Sequence, residues 1–245
     1  MIAVKGLTKI FNQGKKAECV AVDQLCFECK RGEVFGLLGL NGAGKTTTLR
    51  MLATILKPTS GSIKVDNIDV LQNAEKVRSK IGFLTGDTKL YARLTAKETI
   101  RYFGRLHGLQ NDIINQKTEE LSEILDMGKF IDRRVSELST GMRQKVSIAR
   151  AIVHDPQVMI FDEPTAGLDA LTARAITEFI KYSRSVNKCV IFSTHIMREA
   201  ELLCDTIAII HKGKISALGT SEELKERTSE NTLEEAFFKL SKENP

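Results

Sequence analysis

Short apolar runs alternate along the chain with longer segments in which apolar residues recur every three to four positions. Five of these runs have the length and composition of β-strands, and they cover residues 34–38, 81–84, 158–162, 189–193 and 206–211. Strands that alternate with helices in this way are typical of an α/β core built on a parallel sheet. We therefore predict an α/β fold.

The stretch from about 95 to 155 departs from this alternation. It contains three successive helical patterns and no convincing strand. The first of these patterns places Ile100, Phe103 and Leu106 near one side of a helix. We interpret the stretch as a helical insertion into the α/β core.

The last segment of the chain, TLEEAFFKLSKE, places Leu233, Ala236, Phe237 and Leu240 on one stripe. This spacing predicts a short helix that packs on the body of the protein. We therefore predict one domain over residues 1–245. The core is 1–86 and 156–215, the helical insertion is 87–155, and the C-terminal tail helix is 228–242.

The composition supports a folded protein. The chain has 245 residues, of which 42% are hydrophobic and 27% are charged, so it can bury a core and disorder is excluded as its main state. No apolar run approaches the ~18 residues of a membrane-spanning helix. The N-terminal segment lacks the basic head and apolar stretch of a secretion signal. We expect a cytoplasmic location.

The five cysteines, at positions 19, 26, 29, 189 and 204, are scattered and odd in number. This distribution fits a reducing compartment better than a disulfide framework. Cys26 and Cys29 form a C-x-x-C pattern. The segment alternates like a strand, so the two thiols should point to opposite faces and cannot bind one metal ion together.

The net charge is +5, and residues 1–86 carry 13 Lys and Arg against 7 Asp and Glu. A basic N-terminal part suits an anionic ligand. No cluster of five or more Lys and Arg occurs, Trp is absent, and aromatic residues make up only 6% of the chain. We therefore expect no nucleic-acid partner.

A glycine-rich segment directly follows the predicted strand 34–38 and precedes a helical pattern. It has the spacing G-x-x-x-x-G-K-[ST], in the strand, loop and helix setting of a phosphate-binding loop. Glycines let backbone N–H groups turn inward around phosphate oxygens, and the helix N-terminus adds positive charge. We predict that Lys45 contacts the β- and γ-phosphates of a nucleoside triphosphate and that Thr46 binds Mg²⁺. The predicted nucleotide-binding residues of the loop are Gly39, Leu40, Asn41, Gly42, Ala43, Gly44, Lys45, Thr46 and Thr47.

Two carboxylates follow one another at the end of the apolar run 158–162, at the edge where α/β sheets bind ligands. Asp162 is the expected holder of Mg²⁺, and Glu163 is placed to polarise an attacking water. Two acids at a strand end can also be simply solvated. A phosphate loop 117 residues earlier, counted from Lys45 to Asp162, favours the chemical interpretation.

Between these motifs lies LSTGMRQ, residues 138–144, followed by a helical pattern. Ser139 is a natural N-cap, and Gly141 permits close approach to a helix N-terminus whose free N–H groups attract an anion. Taken alone, this is an ordinary helix cap. Its position between the phosphate loop and the acidic pair makes it a candidate phosphate contact.

Four motifs in this order resemble the nucleotide-binding subunit of an ABC transporter. They are GLNGAGKTT at 39–47, LSTGMRQ at 138–144, VMIFDEPTAGLD at 158–169 and FSTH at 192–195. The resemblance covers nearly the whole chain. It implies a P-loop NTPase core of the RecA-like kind, with an N-terminal antiparallel β subdomain and an inserted helical subdomain. It also implies that the chain binds and hydrolyses ATP with Mg²⁺.

The resemblance implies roles for individual residues. Phe11 would stack on the adenine, and His195 would sense the γ-phosphate while Glu163 acts in hydrolysis. The alternative for His195 is a purely structural role, as a hydrogen-bonded polar residue at the end of a strand.

The resemblance also implies a partner chain. Two copies would face head to tail, and the signature residues Ser139, Thr140 and Gly141 of one copy would contact the γ-phosphate held by the other. Asp169 would lie at the interface between the copies. ATP would close this dimer, and hydrolysis would open it.

Two motifs depart from the family pattern. Thr140 replaces the first glycine of LSGGQ and Met142 replaces its glutamine, so one side-chain hydrogen bond is lost. The lid glutamine is also missing, and its position aligns with Gly86, beside Asp87. Either Asp87 contacts Mg²⁺ through water, or the lid contributes shape rather than a ligand.

The sequence around these departures resembles one subgroup of the family. The segment 82–108, STGMRQK and the terminal LEEAFFKL are similar to the ATPases of ABC-2-type exporters, especially the NatA-like sodium-extrusion ATPases. This resemblance implies a separate membrane permease of the ABC-2 type, which selects the cargo and holds the chain at the inner face of the membrane. Leu90, Tyr91 and Leu94 would lie near a groove where a cytoplasmic helix of that permease docks.

Alternatives stay open at this point. The cargo could be a drug, a lipid or a polysaccharide rather than Na⁺. A soluble ABC ATPase of ribosomes or DNA repair is disfavoured, because those proteins carry two cassettes or a long coiled-coil arm, and about sixty inserted residues are too few for such an arm. The missing lid glutamine leaves one more alternative open, namely a module that binds ATP without hydrolysing it.

Overall fold

The computed structural model describes residues 1–86 and 89–242. Six strands form the larger sheet, in the spatial order β10-β9-β3-β8-β7-β6. They are β3 (Val34–Leu38), β6 (Ile81–Leu84), β7 (Val158–Asp162), β8 (Cys189–Thr194), β9 (Thr206–His211) and β10 (Lys214–Gly219). Every pair is parallel except β9 with β10. The predicted α/β fold is confirmed, and β10 is a strand that the apolar pattern did not indicate.

A second, antiparallel sheet is formed mainly by the N-terminal residues, in the order β2-β1-β4-β5. Its strands are β1 (Ile2–Phe11), β2 (Cys19–Cys29), β4 (Ser60–Val65) and β5 (Ile68–Asp69). In β2, Cys29 is buried and Cys26 is exposed, as the alternation predicts. The Phe27 ring stacks on Phe35 of β3 with their centroids 4.9 Å apart, so the two sheets share a core.

The region predicted as a helical insertion contains helices and no strand in residues 89–155. They are α3 (Ala96–Leu106), α4 (Asn111–Ile124) and α5 (Thr140–Ile152), with a 3-10 turn at Val135–Glu137. Thr95 and Glu98 form a capping box that fixes the start of α3. Ile100 is buried, but Leu106 is 63% exposed. The predicted apolar side of α3 is therefore buried at Ile100 but not at Leu106, the last residue of the helix.

The other helices cover both faces of the larger sheet. They are α1 (Lys45–Leu52), α2 (Ala74–Arg78), α6 (Ala170–Ser185), α7 (Met197–Leu203), α8 (Ser221–Thr228) and α9 (Leu233–Lys242). The predicted tail helix 228–242 starts later, because Ser229 adopts a left-handed conformation that ends α8. The predicted stripe of α9 is buried, at Leu233, Ala236, Phe237 and Leu240. In the described part of the chain, no helix has the length and apolar character needed to cross a membrane.

Candidate nucleotide-binding site

The strand order brings three sequence motifs to one edge of the larger sheet. β8 pairs with β3 on one side and with β7 on the other, and all three strands run in the same direction. Their carboxyl ends are therefore adjacent. The phosphate loop follows β3, the acidic pair ends β7, and Ser193 to His195 lie at the end of β8.

Glycines give the phosphate loop a backbone course that other residues would not tolerate. Gly44, just before α1, has a φ of 107°, and a Cβ there would lie 2.5 Å from the carbonyl oxygen of Ala21. A Cβ on Gly39 would lie 2.5 Å from the carbonyl oxygen of Ile210. The loop therefore packs directly on neighbouring backbone. It forms a cavity of about 140 Å³ whose described lining is Ala21, the segment 40–47 and Glu163.

Lys45 is held across the base of this cavity. Its Nζ donates to the carbonyl oxygens of Gly39, at 2.8 Å, and Leu40, at 3.3 Å. The same atom lies 3.2 Å from Oε1 of Glu163, and the Lys45 side chain is only 5% exposed. A buried ammonium with these partners is preorganised to meet phosphate oxygens. The structure thus brings together the predicted phosphate-binding lysine and the predicted water-polarising acid.

Ser193 fixes the acidic pair. Its hydroxyl donates to Oδ1 of Asp162 at 2.6 Å and accepts a hydrogen bond from the Glu163 N–H at 3.1 Å. The Asp162 carboxylate is buried. Glu163 has a positive φ of 48°, which is uncommon for a residue with a Cβ. The contact with Ser193 helps to hold this conformation, which directs the Glu163 side chain into the cavity.

His195 lies beside the second oxygen of Glu163, with Nδ1 3.2 Å from Oε2. Glu199 stabilises the loops on both sides of this contact. One of its carboxylate oxygens accepts from the Thr165 hydroxyl at 2.6 Å, and the other accepts from the Thr194 hydroxyl at 2.9 Å. The segments that follow β7 and β8 are therefore tied to each other through Glu199.

The signature residues form a second, separate cluster. Ser139 caps α5, because its Oγ accepts from the Met142 N–H at 3.2 Å. A Cβ on Gly141 would lie 2.6 Å from Oγ1 of Thr172, so this glycine lets α5 and α6 approach closely. Asp169 caps α6 by accepting from the N–H groups of Leu171 and Thr172. Hydrogen bonds from Thr172, first from its backbone and then from its hydroxyl, hold the pKa of Asp169 below its usual range.

The two clusters do not meet within one chain. None of the described residues that line the phosphate-loop cavity belongs to the signature segment, and Thr140 instead lines a different cavity with Gln144 and Gly86. Phe11 lies at the end of β1, where it is 38% exposed and has the Lys9 Nζ 5.1 Å from its ring centroid. Asp87 lies outside the described residues.

Sequence reasoning missed the residues that position the predicted ones. Ser193 lies within the quoted motif FSTH, so its proximity to Asp162 followed from the parallel register of β7 and β8. Thr172 and Glu199 carry no signal of this kind. Their contacts depend on how α6 and α7 begin relative to the sheet, which spacing along the chain does not define.

Comparison with known proteins agrees with this geometry. The sequence profile of the family described as ABC transporter matches residues 22–166. The ABC transporter ATP-binding protein NatA of Bacillus subtilis is 44% identical over 97% of this chain and 97% of its own length. The linearmycin resistance ATP-binding protein LnrL of the same species is 34% identical over 95% of this chain and 73% of its own. The probable multidrug ABC transporter ATP-binding protein YbhF of Escherichia coli is 36% identical over 98% of this chain, which spans 41% of YbhF.

Solved structures match over nearly the whole chain. An ATP-binding subunit of an ABC transporter superimposes with a TM-score of 0.87, is 28% identical, and is matched over 98% of this chain and 99% of its own. A dimeric, post-hydrolysis state of the ATP-binding cassette MJ0796, bound to ADP and Pi, superimposes with a TM-score of 0.81, at 26% identity, over 90% of this chain and 98% of its own. With a phosphate loop, an acidic pair and a signature helix in this fold, the chain belongs to the ABC transporter family, as one of its ATP-binding and ATP-hydrolysing subunits.

Proposed function

We propose that two copies of this chain close head to tail around two ATP molecules and that this closure drives an exporter. Each nucleotide would lie between Lys45 of one copy and Ser139 of the other. The observation that carries the proposal is the separation of the two clusters within one chain. A phosphate loop and an exposed, capped helix N-terminus that line no common cavity within one chain need a second copy to complete one site.

Within each site, the chain's own residues divide the work of hydrolysis. Lys45 and the backbone N–H groups of the loop bind the phosphates and stabilise the charge that develops on the γ-phosphate. Glu163 orients the attacking water and accepts its proton as the water oxygen bonds to phosphorus and the bond to ADP breaks. His195, next to Glu163, contacts the γ-phosphate and reports its loss. Loss of that contact favours the open dimer.

The oxygen ligands in and beside the phosphate loop fit Mg²⁺. The hydroxyl of Thr46 and the buried carboxylate of Asp162 are hard ligands, and Mg²⁺ binds through one or two such groups together with phosphates. When bound, the ion would neutralise charge on the β- and γ-phosphates. Asp87 is the further candidate contact for the ion, through a water.

The adenine would stack on Phe11. This ring is 38% exposed at the end of β1, and the Lys9 ammonium lies 5.1 Å from its centroid. An aromatic face of this kind can accept a purine ring, and stacking on aromatic residues tolerates every base. Recognition by Phe11 would therefore contribute affinity more than discrimination between bases.

The partner would be a separate membrane permease of the ABC-2 type, and Na⁺ is the cargo that we propose. The similarity to NatA along 97% of both chains supports this subgroup. The permease would hold the chain at the inner face of the membrane and would dock near Leu90, Tyr91 and Leu94. A drug is the second candidate cargo, because LnrL is named for linearmycin resistance and YbhF as a probable multidrug protein.

Three measurements test the proposal. Titration of the purified chain with ATP and Mg²⁺ in a calorimeter should release or absorb heat, and light scattering should then show dimers only when nucleotide is present. Absence of any binding heat would overturn the nucleotide site, and an ATP-bound monomer at all protein concentrations would overturn the closure. For the cargo, vesicles that contain the chain with its permease should expel Na⁺ when ATP is supplied. Efflux of a drug without Na⁺ would favour the second cargo.

A further inference from the structure

Helices α3 and α5, with the residues just after their C-terminal ends, contact each other through two stacked pairs of side chains. The Arg150 guanidinium lies 4.7 Å from the ring centroid of Phe103. His107 and His154 each lie four residues after a member of this first pair. Their rings stack with centroids 3.7 Å apart and an angle of 3° between their planes. The Arg150 guanidinium is therefore packed against an aromatic ring of the neighbouring helix.

Arg150 has no anionic partner in the described part of the chain. No hydrogen bond or ion pair joins it to another described group, and its Nε is buried and unpaired. Burial lowers the pKa of this guanidinium, yet arginine stays charged in proteins. Its place in the last turn of α5 favours a positive charge but supplies no acceptor for Nε. A partly buried cation without an acceptor is costly, and this cost would be relieved by an incoming carboxylate.

An exposed apolar surface adjoins Arg150. Tyr91 is 56% exposed, Tyr102 is 42% exposed and Leu106 is 63% exposed. The Tyr91 and Tyr102 rings meet edge to face at 5.7 Å, and Tyr102 meets Phe103 in the same way at 5.3 Å. We call Tyr91, Tyr102, Phe103 and Leu106 the aromatic patch. A contiguous apolar surface of this kind, with aromatic side chains beside an arginine, is typical of a protein interface.

The charged residues near the aromatic patch indicate the charge expected of its partner. A cavity of about 410 Å³ next to it is lined by Leu90, Lys89 and Arg143 among other residues, and none of its described lining residues is a carboxylate. The charged side chains among these described lining residues are Lys89 and Arg143, and both are cations like Arg150. A complementary partner therefore carries negative charge in an apolar surrounding.

We propose that Arg150 binds a single aspartate or glutamate on an otherwise apolar cytoplasmic helix of the membrane permease. The inference rests on the proposed docking near Tyr91 and specifies the chemistry of the docked segment. The aromatic patch would cover the apolar residues of that helix, and the carboxylate would accept from the guanidinium nitrogens in a site that excludes water. Charge-assisted bonds are short and strong in such surroundings.

A matched pair of synthetic peptides tests this assignment on the full chain. One probe is a stapled helix of alanine and leucine with one central glutamate, and the other carries glutamine at that position. By fluorescence polarisation, the native chain should bind the glutamate peptide about tenfold or more tightly than the glutamine peptide. Equal affinity for the two peptides, or no binding of either, would overturn the inference.

Variants locate the effect at Arg150. Arg150→Met should abolish the preference for glutamate, whereas Arg105→Met should keep it, because the Arg105 guanidinium already donates to Asn111. If Arg150→Met does not fold, Tyr91→Glu provides a second measurement, since an exposed carboxylate next to the guanidinium should compete with the peptide and remove the preference. A preference that survives both changes would contradict the role of Arg150.

The same samples separate this inference from the proposed function. Titration with ATP and Mg²⁺ should be unchanged in Arg150→Met and Tyr91→Glu, because neither residue lines the phosphate-loop cavity. A chain that binds and hydrolyses ATP but shows no preference for glutamate would retain its proposed function and lose only the carboxylate contact. A chain with the preference but without nucleotide binding would lose the proposed function instead.

Discussion

Lys45 and Glu163 form an ion pair across the phosphate-loop cavity, with Nζ 3.2 Å from Oε1. The second oxygen of Glu163 faces His195. We expect a γ-phosphate to compete with Glu163 for Lys45, since both are anions that need the same buried ammonium. Nucleotide binding would then release the carboxylate next to the position of the attacking water. The ion pair would therefore hold the proposed general base in place until the nucleotide binds.

Replacement of Lys45 by alanine should weaken nucleotide binding itself. A lost charge-assisted contact of about 1.5–3 kcal/mol corresponds to a roughly ten- to hundredfold increase in Kd for ATP. Calorimetric titration in the presence of Mg²⁺ measures this change. Lys57→Ala is a matched control, because Lys57 is an exposed lysine outside the cavity lining, and its Kd should be unchanged. Tight ATP binding by Lys45→Ala would contradict the phosphate-loop assignment.

Replacement of Glu163 by glutamine should separate binding from hydrolysis. Glutamine has nearly the same shape but cannot accept the water proton, so turnover should fall by about 10² or more while ATP affinity is retained. Because the γ-phosphate then stays intact, dimers should accumulate with ATP. Phosphate release and light scattering on the same sample measure the two effects. Near-normal turnover in this variant would show that another group activates the water.

The apolar pattern could predict the central strands because each of them is buried on both faces. β3, β7 and β8 are fully buried runs, so they stand out from the alternating helices. β10 is a half-exposed edge strand with a mixed sequence, and α8 is a largely polar helix. The capping box of Thr220 and Glu223 defines the start of α8, but an exposed polar helix leaves little trace in hydrophobic periodicity.

The site could be predicted to the extent that it depends on the ends of adjacent parallel strands. Lys45, Asp162 and Glu163 follow from such strand ends, and they are found in one cluster. The contact of Ser193 with Asp162 follows from the pairing of β7 with β8, whereas the contacts of Glu199 could not be predicted, since they depend on how the segments after β7 and β8 approach each other. Whether Ser139 completes the site of a second copy depends on a partner chain, so this role stays a prediction.

The cysteines should differ sharply in reactivity towards iodoacetamide. Cys19 and Cys26 are exposed, whereas Cys29 and Cys189 are buried with their sulfur atoms 3.0 Å apart. The hydrogen bond with Cys189, followed by burial, raises the pKa of the Cys29 thiol, and thiolate is the reactive form. At pH 8, peptide mass spectrometry should find rapid alkylation of Cys19 and Cys26 in the folded chain. All five cysteines should react in guanidinium chloride, and equal rates for Cys26 and Cys29 in the folded chain would contradict the predicted protection.

Stability should fall in mild acid because of His154. Burial, followed by the nearby His107, lowers the pKa of His154 to about 4, while Asp155 and the Ile81 carbonyl favour the charged form and Lys188 opposes it. An unfolded histidine titrates near ~6.5, so between these values the unfolded state binds a proton that the folded state does not. The stability that the neutral His154 contributes to the folded chain is therefore lost as pH falls from about 6.5 towards 4.

Urea unfolding at pH 7 and pH 5 measures this loss. Over that interval the His154 contribution should be about 2 kcal/mol, at about 1.4 kcal/mol for each pH unit below ~6.5. His154→Gln removes the titrating group, so its stability should change less between the two pH values than that of the native chain. Equal changes in the native chain and the variant would show that other groups cause the acid sensitivity.

A charged residue at the proposed docking surface should uncouple transport from nucleotide binding. Tyr91 is exposed and does not line the phosphate-loop cavity, so Tyr91→Arg should leave the Kd for ATP unchanged. The variant adds a cation beside Arg150 and removes apolar contact area, and we expect Na⁺ efflux from vesicles that contain the permease to fall about tenfold or more. Tyr182→Arg is the matched control, because Tyr182 is a similarly exposed tyrosine on α6, and its efflux should stay normal. Normal efflux with Tyr91→Arg would place the docking surface elsewhere on the chain.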